Sequence, residues 1–291
     1  MPTNNRIYWA CQGVGISPQD SASFVGVHGL QSIGITTTFN LEQVFEIGQL
    51  SIYENIEDIP DIEVTMEKVL DGHPLLYHLA TKGSSGNTLA ARSTKKCNIV
   101  LNIYDDTYEA ASGTPQAEVL MSGMYISSVS YTMPVDGNCT EAVTFVGNNK
   151  AWRTSGFLLT GTVLGPAAAG YDAPRLIDAS GGVQRRENVL FAGSTGNYTK
   201  LPTEVEGISP SGTNNQDGAG NYSAHLQSLS VSVDLGREAL NELGRKGPYF
   251  RYVNFPVEVS TEIEVLSSRG DRIDATEAGL GGSGINLRDQ S

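Results

Sequence analysis

Residues 122–152 read SGMYISSVSYTMPVDGNCTEAVTFVGNNKAW. Two runs rich in Val, Ile, Thr, Tyr and Phe, at 123–133 and 141–146, flank the cluster Pro134, Val135, Asp136, Gly137 and Asn138. β-Branched and aromatic side chains suit a pleated surface. Proline presets the first turn dihedral, and Asp-Gly supplies the positive φ of a tight reversal. The spacing predicts a β-hairpin over 123–146.

The same grammar extends in both directions. Apolar residues alternate with polar ones at Leu229, Val231, Val233 and Leu235, at Val257, Val259, Ile263 and Val265 with Thr261 on the apolar side, and at Ile62, Val64 and Met66. A period of two marks a strand with one face on a core and one face in water. Further strands are expected at 33–41, 43–53 and 98–104. Asn55–Pro60 separates 43–53 from 61–70 and predicts a second, longer hairpin.

Helix is scarce. Residues 74–79 allow one or two turns, with Asp71 or Gly72 near the start. Residues 236–244 (GREALNELG) read as a helix, with Asp234 ahead as a cap and Gly244 as its stop. The stretch 160–225 is dense in Gly, Pro, Ala, Asn and Ser and lacks periodicity, so it is either an insertion on the domain or an extended arm ordered by a neighbour. The C-terminal stretch 279–291 (GLGGSGINLRDQS) reads as a flexible tail. The fold class is mainly β, with one or two short helices, in a single domain over 1–291.

At 291 residues the chain can bury a substantial core without covalent staples. The start, MPTNNRIYWACQGVGI, has no signal-peptide pattern, so synthesis in the cytoplasm is expected. No apolar run is long enough for a membrane helix, and no membrane insertion is expected. Cys11, Cys97 and Cys139 are widely spaced and unclustered, which argues for buried free thiols rather than disulfides or zinc.

The formal net charge of −13 disfavours gripping nucleic acid. The charge is uneven. Glu42, Glu46, Glu54, Glu57, Asp58, Asp61, Glu63, Glu67 and Asp71 face a single base, Lys68, across 42–71. Such a run is either a solvated hairpin face or a surface that repels an anion. Cations gather at Arg185 and Arg186, and again at Arg237, Arg245, Lys246 and Arg251. Contact with an acidic surface of another subunit is one reading of these cations, and plain solvation is the other.

Catalytic chemistry is not legible. His28, His73, His78 and His225 form no tight ligand pair. There is no GxSxG elbow. Gly13-Val14-Gly15 and Gly281-Gly282-Ser283-Gly284 do not continue into phosphate-binding patterns. Paired carboxylates such as Asp105-Asp106 are expected by chance in so acidic a chain. Arg269-Gly270-Asp271 reads as a turn. Neither a cofactor nor a metal is expected, and the chain reads as a non-enzyme.

Four segments together suggest a family. The hairpin SGMYISSVSYTMPVDGNCTEAVTFVGNNKAW (122–152) resembles the central hairpin of bacteriophage tail tube proteins. GGVQRRENVLFAG (181–193) with LPTEVEGI (201–208) is similar to a segment of large-phage tube proteins. HLQSLSVSVDLGREALNELGRKGPYFRYVNFPVEVSTEIEVL (225–266) resembles their C-terminal strand–helix–strand, and GLQSIGITTTFNLEQVFEIGQLSIYENIEDIPDIEVTMEKVLDG (29–72) resembles their opening strands. The long 160–225 region departs from the minimal tube proteins of small phages.

The resemblance implies a β-sandwich or barrel whose inner sheet is completed into a continuous barrel by neighbouring subunits. It implies stacked rings, usually sixfold, forming a hollow virion tail tube that conducts genomic DNA without binding it specifically. It also implies assembly in the bacterial host's cytoplasm. The expected partners are further copies of the chain, with a tail sheath protein, a baseplate hub and a tail terminator. On that reading Glu42, Glu46, Glu54, Glu57, Asp58, Asp61, Glu63 and Glu67 are candidates for the lumen wall. Arg185, Arg186, Arg237, Arg245, Lys246 and Arg251 are candidates for contacts between subunits. Two alternatives stay open: another tail, baseplate or terminator ring protein, and a β-sandwich module for a receptor or carbohydrate.

Overall fold

A computed structural model describes residues 7–19, 23–39, 41–82, 88–105, 114–159, 182–186 and 224–267. The chain divides into two compact units. The first comprises Met1–Tyr131, Thr140–Val183 and Ser232–Ser260, and the second Thr132–Cys139, Gln184–Val231 and Thr261–Ser291.

The protein is mainly β. Its strands are β1 (Gln12–Pro18), β2 (Val25–Gly26), β3 (Leu30–Thr38), β4 (Leu41–Phe45), β5 (Ile52–Glu57), β6 (Asp61–Val69), β7 (Cys97–Ile103), β8 (Ala117–Pro134), β9 (Thr140–Gly147), β10 (Asn149–Arg153), β11 (Ala224–Asp234), β12 (Arg237–Leu240), β13 (Phe250–Val253) and β14 (Val259–Ser267). Two short helices, α1 (Leu76–Thr81) and α2 (Leu89–Ser93), lie between β6 and β7 in sequence. The main sheet runs β2-β1-β7-β8-β9-β6-β3, and β10 and β11 also pair with β8. β4–β5 and β12–β13 are separate two-stranded ribbons.

Within the first unit the sheet encloses one apolar core. Ile62, Val64 and Met66 of β6 meet Val143 and Phe145 of β9, Val14 and Ile16 of β1, Ile99 of β7, and Val119, Met121, Met124 and Ile126 of β8. The alternation read at 62–66 is realised in full, since β6 alternates exposed and buried residues from Asp61 to Lys68. Both ends of the sheet contribute to the same core, so the sheet curls around it. Burying a large aliphatic or aromatic side chain there contributes about 1.5–3 kcal/mol. A smaller cluster of Cys11, Val100, Tyr104 and Leu159 forms on the other face of β7.

Two buried carboxylates tie loops to this frame. Glu141 on β9 accepts the N–H groups of Leu76 (2.7 Å) and Tyr77 (3.1 Å) and the Tyr131 hydroxyl (3.1 Å). It thereby caps α1, whose first N–H groups have no partner within the helix. Burial raises the Glu141 carboxyl above its ordinary range, against the lowering effect of these donors and Lys68. Glu118 on β8 accepts the N–H groups of Leu158 (2.8 Å) and Leu159 (3.2 Å), while its cross-strand partner Asn102 donates to the Leu159 carbonyl at 2.8 Å. The two side chains hold residues 158–159 much as a neighbouring strand would.

In the second unit the Val135 N–H donates to the Gln227 carbonyl and the Cys139 N–H to the Gln184 carbonyl, both at 2.9 Å. Ser228 Oγ donates to Glu264 at 3.0 Å.

The hairpin predicted over 123–146 is present as β8 and β9, adjacent in the sheet. The helix expected at 74–79 is α1. Two expectations are corrected. Residues 43–53 are not one strand paired with 61–70. They span the end of β4, a turn and the start of β5, and β6 pairs with β3 and β9 instead. Gly48, at a φ of 100°, makes the reversal there, and Gln49 N–H closes it on Glu46 at 3.3 Å. Residues 236–244 are not a helix. Asp234 accepts the Gly236 N–H at 2.9 Å, closing a turn rather than capping a helix, and Arg237–Leu240 pairs antiparallel with Phe250–Val253. Tertiary contacts of Arg237 override a helix-favouring composition. Nearly all of the 160–225 stretch, Arg269-Gly270-Asp271 and the tail from 279 lie outside the described residues.

Candidate functional site

The β4–β5 ribbon is the least packed described element of the first unit. It pairs only with itself, from Leu41 opposite Glu57 to Phe45 opposite Ile52. Every β5 residue is exposed, and so are all of β4 except Val44. Toward the tip Phe45, Ile47, Leu50, Ile52 and Tyr53 show their side chains to solvent, Ile47 and Leu50 completely. The stem carries Glu42, Glu54, Glu57 and Asp58, with Glu46 at the turn and no basic residue between 41 and 58. An isolated two-stranded ribbon is marginal in water. Clustered exposed apolar side chains mark an interaction surface.

A second acidic feature has different geometry. On the exposed side of β6, Glu63 lies between Thr36 of β3 and Val146 of β9. Thr65 lies between Gly34 and Thr144, and Glu67 between Ser32 and Ala142. This patch is made mostly of small and acidic residues, with no cation in those three rows. β3 is the edge of the sheet. Among the described residues no strand pairs with its outer side, and such a backbone edge is a template for another strand. Asp61 differs from its neighbours on β6, because it accepts Arg251 Nη2 at 2.8 Å and Asn148 Nδ2 at 3.0 Å.

All eight acids anticipated for a lumen wall are thus exposed, but they fall on two elements: Glu42, Glu46, Glu54, Glu57 and Asp58 with the ribbon, and Asp61, Glu63 and Glu67 on the sheet.

The candidate contact cations separate as well. Arg237 turns inward, donating to the carbonyls of Ile126 (2.5 Å), Ser93 (2.7 Å) and Arg251 (3.1 Å), with its guanidinium 4.8 Å from the Tyr125 ring centroid. These bonds fasten β12–β13 within the single chain. Burial lowers it to about 10, which leaves it charged at neutral pH. Arg185 donates to Asn138 at 3.1 Å, and Arg186 lies 3.9 Å from Asp136, both beside the 134–138 turn.

Arg245 and Arg251 converge with Lys96 on a cleft of about 380 Å³ in the first unit. Lys246 is exposed next to Arg245. Ile59, Tyr125, Pro248, Tyr249 and Phe250 supply the apolar lining. Lys96 Nζ sits 5.3 Å from the Tyr125 ring centroid and 6.0 Å from that of Phe250, and Arg245 lies 5.8 Å from that of Tyr249. The Tyr125 hydroxyl is buried with no hydrogen-bond partner among the described residues. The ion pair of Arg245 with Glu242, at 3.6 Å, is exposed, a kind of pair that contributes little.

Sequence reasoning missed Lys96, Tyr125, Tyr249 and Phe250, which are brought together by strand pairing rather than by spacing. It also missed Lys68, fully buried and bound to Asp71 Oδ1 (2.5 Å) and the His28 carbonyl (2.7 Å). Its signal was available, since Lys68 continues the buried register of Ile62, Val64 and Met66.

Among the described residues no group of three His, Cys, Asp or Glu side chains is placed to hold a metal. No described helix is long and apolar enough to cross a membrane. The three cysteines are free and buried, and burial pushes the Cys97 thiol up to about 12.

No protein-family profile matches the chain, and no curated protein matches it. Solved structures similar to part of it include the tube-terminating cap of the anti-feeding prophage, at 11% identity over 53% of this chain and 95% of that one, with a TM-score of 0.39. A chain of the PVC sheath–tube complex of an extracellular contractile injection system, in the extended state, is 9% identical over 53% and 95%, with a TM-score of 0.38. An Hcp protein is 10% identical over 50% and 98%, with a TM-score of 0.27.

Proposed function

We propose that the protein is a non-enzymatic structural subunit of a tail tube, which assembles with its own copies into rings that stack around a channel. The observation that carries the reading is the β4–β5 ribbon. It is a folded element whose apolar side chains have no core to enter in the single chain, so its stability calls for a second surface. Heterologous contact between identical chains closes into rings or extends into filaments, depending on the rotation. The exposed edge of β3 supports the same reading, because pairing between copies would extend the sheet and remove that edge.

The channel wall on this reading is the exposed face of β3, β6 and β9. Short side chains and the carboxylates of Glu63 and Glu67 offer no cation to a passing phosphate backbone, whose attraction would otherwise be multiplied over every ring. DNA from a virion would pass through without specific binding. A baseplate hub and a terminator are the partners expected of such a tube, with a sheath where the tail is contractile. Six copies per ring is the symmetry drawn from the resemblance to tail tube proteins.

The test is sedimentation velocity and negative-stain electron microscopy of the purified chain over a wide concentration range. Rings or tubes are the expected result. A strict monomer at every concentration sinks the reading, and isolated rings that never stack would move it to a terminator or baseplate ring.

A further inference from the structure

We infer that the cleft between Lys96, Arg245 and Arg251 is the receptor for the β4–β5 ribbon of a second copy of this chain. The inference rests on the self-assembly reading and names its contact. Two independent complementarities carry it. The ribbon has an apolar tip on a stem with five carboxylates and no base between residues 41 and 58. The cleft has an aromatic lining of Tyr125, Tyr249 and Phe250 beneath three cations. Apolar tip side chains would bury against those rings, while the stem carboxylates would meet Arg245, Lys96 and the adjacent Lys246. Charge-assisted contacts of this kind are the strong ones.

The chain does not make this contact with itself, since Ile47 and Leu50 at the tip are fully exposed. Yet the ribbon is rooted at the cleft: Ile59, two residues beyond β5, is part of the lining, and its side chain lies 3.2 Å from where a Cβ on Gly247 would stand. Each copy therefore receives a tip beside the root of its own ribbon. Where the two copies do not exchange tips reciprocally, a contact of that form is heterologous and propagates. Arg251 is held by Asp61 and Asn148 at 2.8 and 3.0 Å, so it is pre-set in the wall rather than free to wander. Arg245, whose ion pair with Glu242 is exposed and whose ring contact is with the cleft's own Tyr249, is the cation most available to a partner.

Charge reversal tests this with surface positions that leave the fold alone. One variant carries Arg245→Glu and Lys246→Glu, a second carries Glu46→Lys and Glu54→Lys, and a third carries all four changes. Assembly is followed by sedimentation velocity against protein concentration, with circular dichroism confirming the fold of each variant. Each double variant is expected to raise the concentration for half-assembly about tenfold or more, and the quadruple variant to recover most of that loss. Wild-type assembly should also weaken between about 0.1 M and about 1 M salt. If the Glu46/Glu54 variant fails to assemble while the Arg245/Lys246 variant assembles like wild type, the ribbon docks elsewhere; the cleft assignment falls and the self-assembly reading stands. If the quadruple variant recovers nothing, the pairing is wrong. A wild-type chain that never assembles overturns both.

Discussion

Replacing Arg237 by Met should cost about 3–5 kcal/mol and free the β12–β13 ribbon. The magnitude follows from the contacts. Three carbonyls, of Ile126, Ser93 and Arg251, accept from this one guanidinium at 2.5, 2.7 and 3.1 Å. A hydrogen bond to a charged group contributes about 1.5–3 kcal/mol. A simple sum overshoots, because the side chain is only partly buried and water can reach some of the freed carbonyls. Breaking a buried charged contact by removing one partner costs about 3–5 kcal/mol, and that is the figure adopted. Met keeps much of the stem that packs on Tyr125, so the loss reports the guanidinium. For a chain of this size a kcal/mol moves Tm by about 2–4 °C, so a drop on the order of 10 °C is expected. Thermal unfolding followed by circular dichroism measures it, and hydrogen exchange locates it. Amides of Phe250–Val253 should exchange much faster, while those of β6 and β9 keep their protection. Arg237→Lys should lose most of the same stability, since one ammonium cannot span three carbonyls in a fork. A loss under about 1 kcal/mol with unchanged exchange in β13 would refute the claim that Arg237 fastens the ribbon.

Glu141→Gln should flatten part of the pH dependence of stability. The folded carboxyl is raised above its ordinary 4.5, so the folded state holds the proton more tightly than the unfolded one. The stability it brings is full below 4.5 and is lost as pH rises through the folded value. The Tm advantage of wild type over Glu141→Gln should therefore shrink from acid toward neutral pH, and an advantage that grows with pH would show that the backbone donors outweigh burial. Native Cys97, with its thiol pushed up to about 12, should resist Ellman's reagent at about pH 8 and react once the chain is unfolded in guanidinium. Glu118→Ala should release residues 158–159, seen as a new site of limited proteolysis near Leu158 with β7 and β8 intact. Phe145→Ala, at a fully buried site, should cost about 3–5 kcal/mol by urea unfolding.

Alternation was the reliable signal, because a half-buried strand writes its two environments into adjacent residues. β6 shows this fully, and the β8–β9 hairpin was legible from Pro134, Asp136 and Gly137. The ribbons were not. Residues 43–53 include Val44, Phe45, Ile47, Leu50, Ile52 and Tyr53, which reads as a buried strand; in the single chain most of these side chains face water, so their apolar character reflects a surface to be covered later. Residues 236–244 have helix-forming composition, and what overrides it is the reach of Arg237 to carbonyls 111 and 144 positions away in sequence. Long-range capture of that kind leaves no local trace. The cleft was invisible for the same reason, since Lys96, Tyr125 and Arg245 come from three distant stretches.

The acidic run at 42–71 turned out to hold two designs that sequence spacing merges. Up to Asp58 the carboxylates sit beside apolar residues with no core to enter. From Asp61 to Glu67 they stand on one face of a strand whose other face is the core. Charge next to exposed Ile and Phe keeps an unpaired ribbon soluble and excludes wrong partners until a basic one arrives. Charge among Ser, Thr and Ala on a sheet face adds no adhesive surface and only repels. The two should respond in opposite ways to lysine. On Glu46 and Glu54 it should raise the concentration for half-assembly about tenfold or more. On Glu63 and Glu67 it should leave stability within about 0.5 kcal/mol and assembly intact, while giving tubes that retain labelled double-stranded DNA in low salt and release it in high salt. Tubes of the Glu63→Lys, Glu67→Lys variant that retain no more DNA than wild type would place this face outside the channel.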